Sequence, residues 1–290
     1  MREQQSTNAL VGSFQRAKCV IARRNKCRAA STICKLPNSP NPTLAYLYRR
    51  FLANRFLQGV SPGRFLEIGV GRGRFFEDLL DRRFHGLCLD LNAELIAELQ
   101  LSEAIRSGAV EFRAKNFFAI EERFDLIVAF EVLEHYEQDL DCLRKWLELL
   151  KSGGTLIFSV PAHMRQWTGN DTRAGHARRY EKKELQAKLK ACGFQAEHFW
   201  CYGFPLLNLT YPLSVALSRP ATSEPQVRES GDARMTDFQK TASSGNRLFP
   251  GVSGWLFREA LWFPLLQFQR LFLHGDLGTG YLVKCRPKQT

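Results

Sequence analysis

Seven residues, Phe124-Asp-Leu-Ile-Val-Ala-Phe130, constrain the fold of this chain more than any other stretch. Only Asp125 is polar. A strand apolar on both faces has to be covered on both, which is the situation inside a parallel sheet flanked by helices. Further runs at 64–69, 85–91, 110–115, 155–160, 194–202 and 279–285 read as strands. Between them lie helical patterns. One begins near Asn41, with Leu44, Leu47, Tyr48, Phe51 and Leu52 at helical spacing; others run to about Arg83, from Asn92 to about Ser107, from Glu131 to Lys151, and over 181–193. Strands alternating with helices predict an α/β fold with a doubly wound, mostly parallel sheet.

With 290 residues the chain can build one large domain of this kind and appendages. Its formal charge of +12 is uneven. Residues 1–40 hold eight Lys/Arg and one acid, a net +7, which leaves 12 − 7 = +5 for the rest. The body is only mildly basic, so bulk charge is no argument for a nucleic-acid partner. Residues 1–40 read as a basic, disordered extension, with an organelle transit segment as the alternative, since the stretch is Arg-rich and almost acid-free. The eight cysteines contain no CxxC pair, which argues against a zinc site of that spacing and for reduced thiols in a cytoplasmic setting.

The domain plan is thus an extension (1–40), a core (41–202), an insert or cap (203–275) and a final core strand with its tail (276–290). Within the insert, 219–247 is polar and reads as disordered. Phe199 to Ser218 carries no charge, but Pro205, Pro212, Asn208 and Thr210 argue against a membrane span. The aromatic run 254–275, with Pro264 breaking it, reads as a helical cap, and otherwise as a surface for peripheral membrane contact or for covering an apolar substrate.

The first strand runs into "LEIGVGRGRF" (66–75), with Gly69, Gly71 and Gly73 at alternate positions and Glu67 two residues before the first. A dinucleotide fingerprint would need a third glycine where Arg74 stands. Asp90 closes the second strand, where an acid accepts hydrogen bonds from both hydroxyls of a ribose. A bare turn, an acid beside it and a ribose acceptor suit a nucleoside without phosphates and with a positive or zwitterionic end. S-adenosylmethionine has that chemistry.

"LEIGVGRGRF", "GLCLDL", "FDLIVAFEVLEHYEQ", "LKSGGTLIFSVPA" and "LKACGF" resemble, in order and spacing, the successive motifs of class I S-adenosylmethionine-dependent methyltransferases. "GHARRYEKKEL" and "GDLGTGYLVKC" resemble a bacterial branch of that family with unassigned acceptor. The resemblance implies a Rossmann-like sheet of seven strands, the last antiparallel, with helices on both faces. It implies that Gly69, Gly71 and Gly73 admit the methionine and ribose parts of the cofactor, and that Glu67 meets the amino end. Asp90 would hold the ribose hydroxyls, Leu91 flank the adenine, and Phe117 cover the ring. Asn116 stands where the family usually has an Asp for the adenine amino group; its side-chain oxygen can still accept that bond. Phe130 and Glu131 would stand beside the methionine.

Methyl transfer needs donor and acceptor in line and, for a protonated acceptor, a base. His135 is the first candidate base, with His163 and His176 behind it. If a helix runs through them, Glu131, Glu134 and His135 share a face, placed to hold a divalent metal with His163 or His176. Ubiquinone-pathway O-methyltransferases and small-RNA 3′-end methyltransferases show a similar ExxEH cluster. A metal is nevertheless left out of the expected cofactor set. Arg178, Arg179 and Tyr180 read either as an anion site for the acceptor or as solvated surface. The expected activity is O-methylation of a small or lipid-like molecule. An RNA-modifying methyltransferase using the basic extension as an arm, and a binding module that keeps the fold without catalysis, are the alternatives.

Overall fold

The computed structural model describes residues 43–101, 108–210 and 259–288. In chain order the elements are α1 (Leu44–Phe56), β1 (Arg64–Ile68), α2 (Phe76–Asp81), β2 (His85–Asp90), α3 (Ala93–Gln100), β3 (Val110–Ala114) and β4 (Phe124–Phe130). There follow α4 (Asp139–Leu149), β5 (Leu150–Pro161), α5 (Gly169–Ala174), α6 (Lys182–Ala191), β6 (Phe194–Tyr202), α7 (Glu259–Gln269) and β7 (Gly280–Pro287). Thr43 caps α1 by accepting from the Tyr46 amide, and Asn92 caps α3 by accepting from that of Leu95.

The seven strands form one sheet in the order β3-β2-β1-β4-β5-β7-β6. β1 to β5 are parallel, and β7 runs antiparallel to both β5 and β6. The order reverses at β1, between β2 and β4, and open α/β sheets bind ligands in the crevice at such a switch point. Alternate residues of β4 enter separate cores: Ile127 and Ala129 pack on one face, Leu126 and Val128 on the other. Burial on both sides is why that strand is apolar throughout.

The expected helix from Glu131 to Lys151 does not exist as one piece. Glu131 is left-handed (φ 54°), Leu133–His135 form a single 3₁₀ turn, and α4 starts only at Asp139. The Glu131 amide donates to Ser159 O on β5, which turns the chain before a helix can begin. At its other end α4 stops at Leu149, because Leu150 already pairs with Phe124 and "SGG" lies inside β5. Helix α7 runs through Pro264 rather than breaking there. The extension, residues 102–107 and residues 211–258 with their polar stretch lie outside the described residues. Among the described residues no helix is long and apolar enough to cross a membrane.

One glycine sets the spacing of the central strands. A Cβ on Gly86 of β2 would lie 2.0 Å from the Phe65 carbonyl oxygen of β1. Gly86→Ala is expected to destabilise the chain by about 1–3 kcal/mol through overpacking, measured by urea unfolding; a variant as stable as the parent refutes the close approach.

Candidate active site

The turn after β1 reverses with two amides, Gly69 N and Val70 N, donating to Leu89 O at 2.8 and 3.0 Å. Its three glycines are bare for three different reasons. Gly69 is left-handed (φ 70°), and a Cβ there would meet Val132 Cγ2 at 2.8 Å. Gly71 is also left-handed (φ 51°), but nothing lies nearer a Cβ than the Gly69 carbonyl at 3.8 Å, so this backbone is open to a ligand. Gly73 makes room for α1: a Cβ would stand 2.7 Å from Tyr46 Cε2, and the Tyr46 hydroxyl donates to Gly73 O. The two arginines of the turn are engaged at its rim, Arg72 with Glu98 at 3.1 Å and Arg74 with Glu77.

Asp90 closes β2 under the turn. Its Oδ2 accepts from Gly71 N at 3.0 Å and its Oδ1 from Asn92 N at 2.9 Å. Burial raises its pKa against the pull of those amides. Each carboxylate oxygen has a second lone pair, so both can still accept from a ligand hydroxyl. Glu67 lies on β1, two residues before Gly69. It is 3% exposed, and its carboxylate takes a hydrogen bond from the Phe76 amide at the start of α2. Burial, then the charge of Asp78, hold its pKa well above the usual range. That bond ties it to the helix after the turn.

A pocket opens between these strand ends. Ile68, Gly69, Leu89, Asp90, Leu91, Lys115, Asn116, Phe117, Val132 and Tyr136 line it. It therefore gathers Gly69, Asp90, Leu91, Asn116 and Phe117 from the residues singled out by sequence, and adds Lys115, Val132 and Tyr136, which were not. Asn116 Oδ1 caps the next turn by accepting from Phe118 N at 3.1 Å, and its side chain also bonds the Tyr136 hydroxyl. Phe117 is 2% exposed, stacked on Phe118 with centroids 4.5 Å apart.

Beyond Gly71 stands a second group that the pocket does not include. Glu131 Oε1 accepts from Ser159 Oγ at 2.8 Å, from Tyr202 Oη at 3.3 Å and from Arg49 Nη1 at 3.1 Å. The Arg49 guanidinium lies 5.7 Å from the centre of the Phe130 ring. Sequence reading singled out Phe130 and Glu131 but not Arg49 or Tyr46. These two sit three apart on α1, so helical spacing put them on one face, yet nothing local said that this face meets the glycine turn.

The third group follows β4. Donor atoms of Glu134, His135 and His176 lie within 4.8 Å of one another, and the two imidazole rings meet edge to face at 4.9 Å. Glu131 is not in this set, since the left-handed turn aims it at Arg49. Glu134 is fully buried and neither oxygen makes a well-formed hydrogen bond; His176 Nε2 is 3.9 Å from Oε1. Burial, then the charge of Glu131, push the Glu134 pKa well up. His176 Nδ1 is 3.0 Å from Asp171 Oδ1 and His135 Nδ1 is 3.2 Å from Gly175 O. A buried carboxylate lacking partners beside two oriented imidazoles matches the donor set of a divalent cation, so the residues fit one.

Arg178, Arg179 and Tyr180 are bonded to groups within the chain. Arg179 is buried, with Nε and Nη2 on Asp171 at 2.8 and 3.0 Å and Nη1 on Ala162 O. Arg178 bonds Asp139 and the Glu137 carbonyl, and the buried Tyr180 hydroxyl donates to Asp139 at 3.0 Å. For Asp171 burial alone would raise the pKa; the bonds from His176 and Arg179 overcome it and hold the carboxyl well below its usual range. Asp171, unremarked in the sequence, orients His176 and neutralises Arg179.

A family profile described as a methyltransferase domain matches residues 42–198, more than half the chain. The chain belongs to that family, the class I S-adenosylmethionine-dependent methyltransferases, and S-adenosylmethionine is the cofactor. It is 33% identical over 104 residues to a ubiquinone biosynthesis O-methyltransferase of Xanthomonas campestris pv. campestris, covering 34% of this chain and 44% of that protein. It is 26% identical over 137 residues to a protein of Mycolicibacterium smegmatis named a probable S-adenosylmethionine-dependent methyltransferase, covering 46% and 52%. The chain thus spans about half, or less, of the length of these curated relatives. The fold is similar to that of a provisionally named sarcosine dimethylglycine methyltransferase from Galdieria sulphuraria, with a TM-score of 0.52 at 12% identity over 83% of this chain and 85% of the other.

Two substitutions test the cofactor side. Asp90→Ala is expected to weaken S-adenosylmethionine binding by about 1–3 kcal/mol in calorimetric titration; unchanged affinity would place the ribose elsewhere. Gly71→Val puts a β-branched residue in left-handed backbone facing the ligand. It is expected to abolish binding while the far-ultraviolet dichroism stays that of the parent, and a variant that still binds removes the close-approach argument.

Proposed function

We propose that this chain transfers the methyl group of S-adenosylmethionine to a hydroxyl oxygen of a small or lipid-like acceptor. The observation that carries this reading is the position of the Glu134–His135–His176 group. Glu134 and His135 lie between Val132 and Tyr136, and both of those residues line the pocket. In this reading the adenosine lies over Gly69, Leu91 and Phe117 with its ribose on Asp90 and its adenine edge at Asn116. The methionine end passes Gly71 toward Phe130, Glu131 and Arg49. The sulfonium methyl then points to the imidazole pair.

The reaction is an in-line displacement. The acceptor oxygen forms a bond to the methyl carbon as the carbon–sulfur bond breaks, and positive charge leaves sulfur, so no strong acid is needed. A neutral hydroxyl must lose its proton, and in this reading His135 takes it. The Gly175 carbonyl can only accept, so His135 Nδ1 carries the proton and Nε2 carries the lone pair. When a divalent cation is bound, Glu134, His135 and His176 would hold it, and it would lower the pKa of the acceptor hydroxyl. An oxygen acceptor draws support from the O-methyltransferases among the relatives. A lipid-like body draws support from the insert, whose Phe263, Phe268 and Leu271 are about half exposed or more.

His135→Gln is expected to lower kcat by about 10²- to 10⁴-fold with cofactor affinity unchanged, measured by labelled-methyl transfer to fractionated membrane and soluble extract. Full activity in the variant excludes His135, and label found only on nitrogen, carbon or RNA overturns the hydroxyl acceptor. Activity lost to a chelator and restored by a divalent cation assigns the three residues to metal binding; activity indifferent to chelation assigns His135 to the base.

A further inference from the structure

β5 and β6 end, and β7 begins, at one edge of the sheet, with Pro161 and Tyr202 both in register with Gly280. Three side chains of different chemistry converge there. His163 lies two residues beyond β5, Cys201 is the penultimate residue of β6, and Asp276 stands in the chain returning to β7. Their donor atoms lie within 4.8 Å of one another.

His163 is held in an expensive way. Its backbone is left-handed (φ 61°), which costs a non-glycine residue about 1–3 kcal/mol. Its amide donates to Tyr180 O at 2.8 Å and its side chain is 3% exposed. Nδ1 lies 3.1 Å from Glu181 Oε2, and the other Glu181 oxygen accepts from the Met164 amide at 3.1 Å. A carboxylate can only accept, so Nδ1 bears the proton and Nε2 the lone pair. That buried Nε2 makes no hydrogen bond, and the nearest acid oxygen, Asp276 Oδ1, is 3.5 Å away. A lone pair aimed at a carboxylate and a sulfur leaves room for a cation that all three bind.

The partners suit that cation. Cys201 Sγ accepts from the Gly278 amide at 3.1 Å, a bond that stabilises a thiolate. The Tyr281 hydroxyl donates to Asp276 Oδ1 at 2.6 Å and steadies the carboxylate. One thiolate and one carboxylate neutralise a divalent charge, and imidazole, thiolate and carboxylate together select an ion of borderline softness in tetrahedral geometry. Bonds of about 2.0–2.3 Å put tetrahedral donors roughly 3.5 Å apart. The His163–Asp276 pair already has that separation, and Asp276, nearly half exposed, can supply the remaining adjustment. Glu181 has the outer-sphere position that orients metal-bound histidines.

We propose that His163 Nε2, Cys201 Sγ and the Asp276 carboxylate form a Zn²⁺ site with its fourth position open to water, separate from the Glu134–His135–His176 group. Binding converts the thiol to a metal-bound thiolate and releases one proton to solvent. Burial pushes the Cys201 thiol up to about 11, so without the ion this sulfur stays protonated at neutral pH. The site would fasten the end of the insert to the ends of β5 and β6.

The test is titration of the full chain with Co²⁺, whose thiolate charge-transfer and tetrahedral ligand-field bands report the donor set, followed by competition with Zn²⁺. One equivalent is expected to give both bands, and Cys201→Ser to abolish the thiolate band. A triple Cys19/Cys27/Cys34→Ser variant is expected to retain it. Asp276→Asn, at a half-exposed position that does not threaten folding, is expected to weaken Zn²⁺ binding at least tenfold, on the order of what supporting ligands contribute. No thiolate band, a band that survives Cys201→Ser, or Asp276→Asn affinity equal to the parent's overturns the site. The readout is spectroscopic, so it stands or falls independently of methyl transfer.

Discussion

The left-handed backbone at Gly69 and Gly71 fixes where the other groups of the crevice stand. Reversing there lets two amides share the Leu89 carbonyl and a third reach Asp90, which locks the ends of β1 and β2 together. The same reversal leaves Gly69 so close to Val132 that the chain leaving β4 is set by the chain leaving β1. Asp90, Leu91, Phe117 and Tyr136 then converge because four adjacent parallel strands, β3, β2, β1 and β4, end at nearly one level. A side chain at either glycine would have to adopt backbone that costs most residues energy, and at Gly69 would also displace Val132.

The buried acids separate into two kinds. Asp139 receives Tyr180, Arg178 and Lys188, and Asp171 receives Arg179, His176 and the cap of α5. These carboxylates are saturated, and removing either would strand buried cations or a buried hydroxyl. Glu134 is as deeply buried and has no well-formed hydrogen bond, while Glu67 is only partly satisfied. A fully buried carboxyl without partners is costly unless a proton or a cation accompanies it. That contrast sets Glu134 apart from Asp139 and Asp171, whose bonds hold elements of the scaffold together.

Much of the sheet was legible in the sequence because two-sided burial leaves a local mark: the bounds of β4 and β6 follow from their composition and flanks. The position of Asp90 was legible because the end of a strand leaves a local mark. The stretch after β4 was not, because Val132, Leu133 and Leu140 fall at helical spacing while the deciding contact, Glu131 with Ser159, is 28 residues away. Arg178 could be read as an anion site or as solvent-facing charge for the same reason, since Asp139 lies far back in the chain. The bareness of Gly73 was legible but its cause was not, because Tyr46 precedes it by 27 residues.

The carboxylate of Glu131 joins Arg49 near the beginning of the domain to Tyr202 at the end of β6. Arg49 and Tyr202 are 153 residues apart and bonded to each other at 3.3 Å. Chains emerge from the ribosome in sequence order, so α1 and the glycine turn are made long before their last partner exists. The wall that Arg49, Glu131 and Tyr202 build can therefore close only after the sixth strand has been synthesised, and a nascent chain carries it unfinished through most of its elongation.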